Sequence, residues 1–78
     1  MLQISSPNEK REVRIAWIEL NTPVGNFIIQ PEHAPMVVTL TPLSTIAYRL
    51  HSGKEETRKI INGVAHITRN SITLLLAD

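Results

Sequence analysis

Thr22-Pro23-Val24-Gly25-Asn26-Phe27-Ile28-Ile29-Gln30-Pro31-Glu32-His33-Ala34-Pro35 decides how this chain folds. Proline fixes φ, removes a backbone donor and pushes the preceding residue toward extended geometry. The apolar run between the prolines therefore reads as a strand, Val24 to Gln30. It is entered through a Pro-Val-Gly turn and left through a rigid Pro-Glu-His-Ala-Pro corner. A corner of this kind re-aims the chain from one sheet to another.

On either side of the corner, short extended segments follow one another with turn signals at close intervals. Leu2 to Ser5 reads as a strand closed by Ser6-Pro7-Asn8. Glu12 to Leu20 changes phase: Val13 and Ile15 share one face, whereas Ile18 and Leu20 share the other. A period-2 strand keeps both pairs inward only if it bulges or passes between sheets. Met36 to Thr39 and Leu43 to Leu50 follow, and His51-Ser52-Gly53-Lys54 turns the chain. Glu55 to Ile61 is a polar-outside strand, and Asn62-Gly63 predicts a type I′ hairpin onto Val64 to Thr68. Arg69-Asn70 turns again before Ser71 to Ala77. No window of a dozen residues holds a 3.6-residue apolar period free of proline or glycine. The expected fold is all-β, a small flattened sandwich of about eight to ten short, mostly antiparallel strands.

Seventy-eight residues make one domain, spanning 1–78. Such a chain buries only about 60% of its unfolded surface, which implies a stability of roughly 4–12 kcal/mol. Phe27, Trp17 and Tyr48 are its only aromatic residues, so the core must be aliphatic. There is no cysteine, and hence no disulfide or thiolate zinc site. Net charge is +1, and the densest charged run, Glu9-Lys10-Arg11-Glu12, cancels itself. That balance argues against nucleic acid as a partner. No apolar stretch approaches the ~20 residues of a membrane span, and a signal-peptide pattern is lacking; the chain reads as soluble and mature.

No nucleophile motif, phosphate loop or metal-ligand spacing occurs, so no catalytic residue, cofactor, metal or small-molecule substrate is expected. Glu32-His33 is the one adjacent acid and imidazole pair. Neighbours on a strand face opposite ways and would not converge on a metal without a twist. A corner histidine bonded to nearby backbone accounts for His33 more simply. Trp17 falls at the phase change. If Ile18 and Leu20 point inward, Trp17 points outward beside Glu19 and suggests a docking patch. The other reading makes Trp17 part of the core.

The chain resembles the N-terminal β-sandwich domain of the epsilon subunit of F-type ATP synthase. Gly25, Ile29, Pro31, His33, Ala34 and Pro35 match that family's corner at the right offsets, and Pro42 follows at the expected distance. The family's later Gly-Gly hairpin corresponds to Asn62-Gly63, and its closing strand to Ile72-Thr73-Leu74-Leu75-Leu76-Ala77-Asp78. Two family glycines are replaced here, by Ile28 and Glu32, and a carboxylate by Asn26. If the glycines take positive φ, the corner must be reshaped.

The resemblance implies a non-catalytic rotor subunit at the cytoplasmic face of the membrane. It would clamp a gamma-like subunit onto the membrane rotor ring and couple proton or sodium translocation to ATP synthesis. The contact candidates it carries over are Asn26, Phe27, Pro31, Glu32 and His33; Trp17 joins them from strand phase. The family's C-terminal helix pair, with its ATP binding and autoinhibition, would follow Leu-Ala-Asp. A short form without it leaves apolar surface open and predicts a homodimer in isolation. The alternative is a free-standing homo-oligomeric interaction module with the same sandwich.

Overall fold

The computed structural model describes residues 1–30, 32 and 34–77. Nine strands occur among them: β1 (Leu2–Ser6), β2 (Glu9–Val13), β3 (Ile15–Thr22), β4 (Gly25–Ile29), β5 (Met36–Thr39), β6 (Thr45–Leu50), β7 (Glu55–Lys59), β8 (Gly63–Ile67) and β9 (Ile72–Leu76). They form a five-stranded sheet ordered β2-β1-β9-β8-β5 and a four-stranded sheet ordered β4-β3-β6-β7. Only β1 and β9 run parallel. The all-β sandwich read from turns and alternation is the fold observed.

The phase change is resolved by both devices at once. The chain leaves the five-stranded sheet after Val13 and enters the four-stranded one at Ile15, with the Arg14 carbonyl accepting from His51 N–H at 2.9 Å. One residue later β3 bulges. Ile15 opposes Leu50 and Trp17 opposes Arg49, so Ala16 is the extra residue. The bulge lets Ile15 be buried together with Ile18 and Leu20.

Between the sheets lies an aliphatic core. Leu2, Ile4, Ile67 and Leu74 from the five-stranded sheet meet Ile18, Leu20, Ile29 and Ile46 from the other, with Tyr48 the one large aromatic wholly inside. Each such side chain contributes about 1.5–3 kcal/mol on burial, an upper bound because the unfolded chain is itself partly compact.

The Asn62-Gly63 hairpin does not form. β7 pairs with β6 at the rim of the four-stranded sheet, while β8 lies between β5 and β9 in the other. The dipeptide carries the chain across the sandwich instead. Positive φ among the glycines belongs to Gly25 and Gly53, not to Gly63. Gly63 is needed for close approach: a Cβ there would meet Leu76 Cδ2 at 2.7 Å and the Leu75 carbonyl oxygen at 3.1 Å. Backbone bonds staple the crossing, Leu40 N–H to Gly63 O at 2.9 Å and Ala77 N–H to Asn62 O at 3.1 Å.

One side of the sandwich is closed by a charged seam between β2 and β7. Arg11 Nη2 lies 3.1 Å from Glu56 Oε1, and its Nη1 donates to the Tyr48 hydroxyl at 3.3 Å. That hydroxyl donates in turn to Glu56 Oε1 at 2.9 Å, and Arg58 pairs with Glu9. The Tyr48 hydrogen bond, joined by the Arg11 charge, holds the Glu56 carboxyl below its ordinary 4.5. Burial, then the bond to Glu56, pushes the Tyr48 phenol above 10.0.

Folding thus depresses the Glu56 pKa. Its contribution is full above the ordinary carboxylate value and is lost as pH falls through the lower folded value. For Tyr48 the contribution is full below the ordinary phenol value and is lost as pH rises through the raised one. In urea unfolding, the stability gap between wild type and Glu56→Gln should shrink on acidification below the ordinary carboxylate range. A gap independent of pH would contradict the seam.

Candidate docking surface

Strand register decides which side chains the four-stranded sheet turns outward. Cross-strand partners share a face, so Ile18 opposite Tyr48 and Leu20 opposite Phe27 mark the inner face. Three rows then face outward. Trp17, Arg49 and Glu55 form one; Ile28, Glu19, Ala47 and Thr57 form the next; Asn26, Asn21, Thr45 and Lys59 form the third.

Trp17 stands on this outer face with Glu19, half-buried, beside a cavity of about 30 Å3 that Met1, Gln30 and Asn70 also border. Ile28 opposes Glu19 and is 60% exposed. It sits diagonally from Trp17, within the 7–8 Å that an aromatic side chain spans. Asn26, the second residue of β4, is exposed and donates to Asn21 Oδ1 at 2.9 Å, while Asn21 Nδ2 donates to the Thr45 carbonyl at 3.0 Å. Two amide side chains are thereby fixed across three strands.

Phe27 faces the other way. It is half-buried and packs against the core, so it does not share a surface with Asn26. At the β3–β4 turn, Thr22 Oγ1 donates to the Gly25 carbonyl at 2.8 Å and accepts from Val24 N–H at 3.3 Å. This leaves Val24 at the tip, 84% exposed. Val24 and Ile28 were missed as surface candidates. Strict alternation along β4 carried the signal, since Ile29 is buried and Ile28 must face away from it.

Beyond β4 the chain crosses to β5 in the other sheet, as the proline corner predicts. Pro31 and His33 lie outside the described residues. Glu32 is exposed with φ 64°, the left-handed region, at a position where the resembling family carries glycine. Ile28 lies in regular strand and is not among the residues of positive φ. The corner thus keeps a glycine-like backbone with a side chain that resists it, at a cost of about 1–2 kcal/mol. Glycine also loosens the unfolded chain, which offsets part of the relief. Glu32→Gly should therefore raise Tm by roughly 2–6 °C; a lowered Tm would mean that Glu32 does not hold this conformation.

No group of three or more His, Cys, Asp or Glu side chains gathers among the described residues. A groove of about 520 Å3 on the outer side of β1, β2 and β9 is lined by Gln3, Ser5, Lys10, Glu12, Thr73 and Leu75. Its charges are mixed.

Residues 1–78 match the family model described as ATP synthase, Delta/Epsilon chain, beta-sandwich domain. A chain in the cryo-EM structure of Euglena gracilis mitochondrial ATP synthase (OSCP/F1/c-ring, rotational state 1) superposes with a TM-score of 0.90 at 20% identity. The similarity covers 99% of this chain and 49% of that one. A chain of the Tetrahymena thermophila mitochondrial ATP synthase central stalk/c-ring structure gives 0.83 at 14% identity, covering 99% of this chain and 62% of that one. The chain spans about half the length of the first and three-fifths of the second. No curated protein sequence matches it.

Proposed function

The chain belongs to the family of the ATP synthase delta/epsilon chain β-sandwich domain, and from that premise we propose that it is a non-catalytic subunit of a rotary ATP synthase central stalk. It docks on a gamma-like subunit and on the membrane rotor ring, peripheral to the membrane at its cytoplasmic face. There it transmits rotation, so that proton or sodium translocation drives ATP synthesis elsewhere in the complex. The observation that carries this reading is the family match along the whole chain, matched by a sandwich that overlays a chain from each of the two ATP synthase structures over 99% of its length.

The outer face of the four-stranded sheet supplies the contact. Trp17 and Ile28 offer an apolar centre, and Asn26, Asn21 and Glu19 a polar surround, the usual make-up of a docking patch. Glu32, exposed at the corner, borders this face, and Pro31 and His33 remain contact candidates from the family resemblance alone. Phe27 acts indirectly, by supporting β4 from within.

Mixing the isolated chain with the gamma subunit of the same organism tests the proposal. Sedimentation velocity should show a one-to-one complex at micromolar concentrations. Independent sedimentation of the two proteins at tens of micromolar would contradict it.

A further inference from the structure

The sandwich has four edge strands, β2, β4, β5 and β7, and each leaves one row of backbone donors and acceptors open. β7 is set apart by its charges. Its sequence, Glu55-Glu56-Thr57-Arg58-Lys59, reverses sign about its central residue. Run antiparallel against a second copy, such a strand places every acid opposite a base. The other edges lack this property. β2 centred on Arg11 would face Arg11 with Arg11, and β4 and β5 carry no charge.

Backbone geometry points the same way. Ile60 N–H donates to Ser44 O at 2.9 Å and Leu50 N–H to Lys54 O at 2.7 Å, which fixes the alternation of the β6–β7 ladder. Glu56 and Arg58 direct their backbone groups toward β6, so those of Glu55, Thr57 and Lys59 point off the edge. The side chains of these same three residues are exposed on the outer face, and neither Glu55 nor Lys59 has an ion-pair partner among the described residues. Glu56 and Arg58 are already held inward by Arg11 and Glu9.

We propose that β7 is a homotypic interface, at which two copies of this chain pair antiparallel about Thr57. Glu55 then faces Lys59 of the second copy, and Lys59 faces its Glu55. Thr57 meets Thr57 on the two-fold axis, and roughly six backbone bonds form at the three hydrogen-bonded pairs. The two four-stranded sheets become one continuous sheet. The outer row that begins Trp17, Arg49, Glu55 continues into Lys59 of the second copy, with charges alternating along it. A five-residue pairing buries less than the about 1,000 Å2 of a lasting interface, so the dimer is weak and salt-dependent. This inference concerns the isolated chain and stands apart from the stalk reading.

Sedimentation equilibrium from about 10 μM to about 1 mM, at low and at high salt, is the test. Wild type should dimerise at low salt and dissociate at high salt. Glu55→Lys and Lys59→Glu should each weaken self-association at least about tenfold, because like charges then face each other twice. Both substitutions are on exposed side chains outside the core. An equimolar mixture of the two single variants should form a heterodimer, and the double variant Glu55→Lys/Lys59→Glu should self-associate again. A wild type that stays monomeric throughout, or a Lys59→Glu chain that dimerises as well as wild type, would overturn the proposal.

Discussion

Gly63→Val is expected to cost about 3 kcal/mol or more. The first added carbon alone would meet Leu76 Cδ2 at 2.7 Å, the Leu75 carbonyl oxygen at 3.1 Å and Leu40 Cδ1 at 3.3 Å. Leu40 and Leu76 are both buried, so neither swings aside freely, and the carbonyl belongs to β9. Two further methyl groups must be placed against the same wall. For a domain holding roughly 4–12 kcal/mol in all, that loss removes a large share of stability. Tm should drop by roughly 12–24 °C. Gly63→Asn separates this account from a hairpin turn, since asparagine suits a type I′ turn and would be tolerated there. Here it should be nearly as damaging as valine. Urea unfolding of both variants decides the matter, and an asparagine variant as stable as wild type would mean that Gly63 serves a turn after all.

The second large effect concerns docking. Trp17→Ala should weaken the complex with the gamma subunit by about 2 kcal/mol, roughly thirtyfold in Kd. In the proposed contact, Trp17 and Ile28 form the apolar centre, and truncation removes the larger of the two. The flanking polar residues then close around a hole. Because Trp17 is half-buried, the variant must be compared at a temperature well below its own unfolding, with unchanged far-UV circular dichroism as the control. Phe27→Leu offers a contrast. Its side chain lies on the inner face, so it should alter stability rather than affinity. Unaltered affinity in Trp17→Ala would remove Trp17 from the contact.

Much of this architecture was legible in the chain because it rests on alternation and on turn residues. The shift from Val13 and Ile15 to Ile18 and Leu20 demanded a break, and the structure supplies both a change of sheet and a bulge. The same shift left Trp17 open between an outward position and the core; the register sets it opposite Arg49 on the outer face, half-buried. The proline corner foretold a crossing, and β4 and β5 do lie in different sheets.

Other features depend on information that no local stretch contains. Asn62-Gly63 has the chemistry of a tight turn, yet the polar strand before it belongs to the opposite sheet from the apolar strand after it. Only the placement of β9 beside β8 reveals why a glycine is required. The charged seam is equally non-local, since Arg11 and Glu56 are 45 residues apart. Phe27 was open to a simpler reading. Two residues from buried Ile29 on a regular strand, it must share its face, whereas Asn26 must not.

Purifying ATP synthase from the source cells through a tagged copy of this chain tests the central claim most directly. The gamma subunit and the rotor ring should co-purify in constant ratio with the tagged chain, and the sandwich should be visible at the foot of the central stalk. Recovery of the chain free of every ATP synthase subunit, under conditions that keep the enzyme whole, would contradict it.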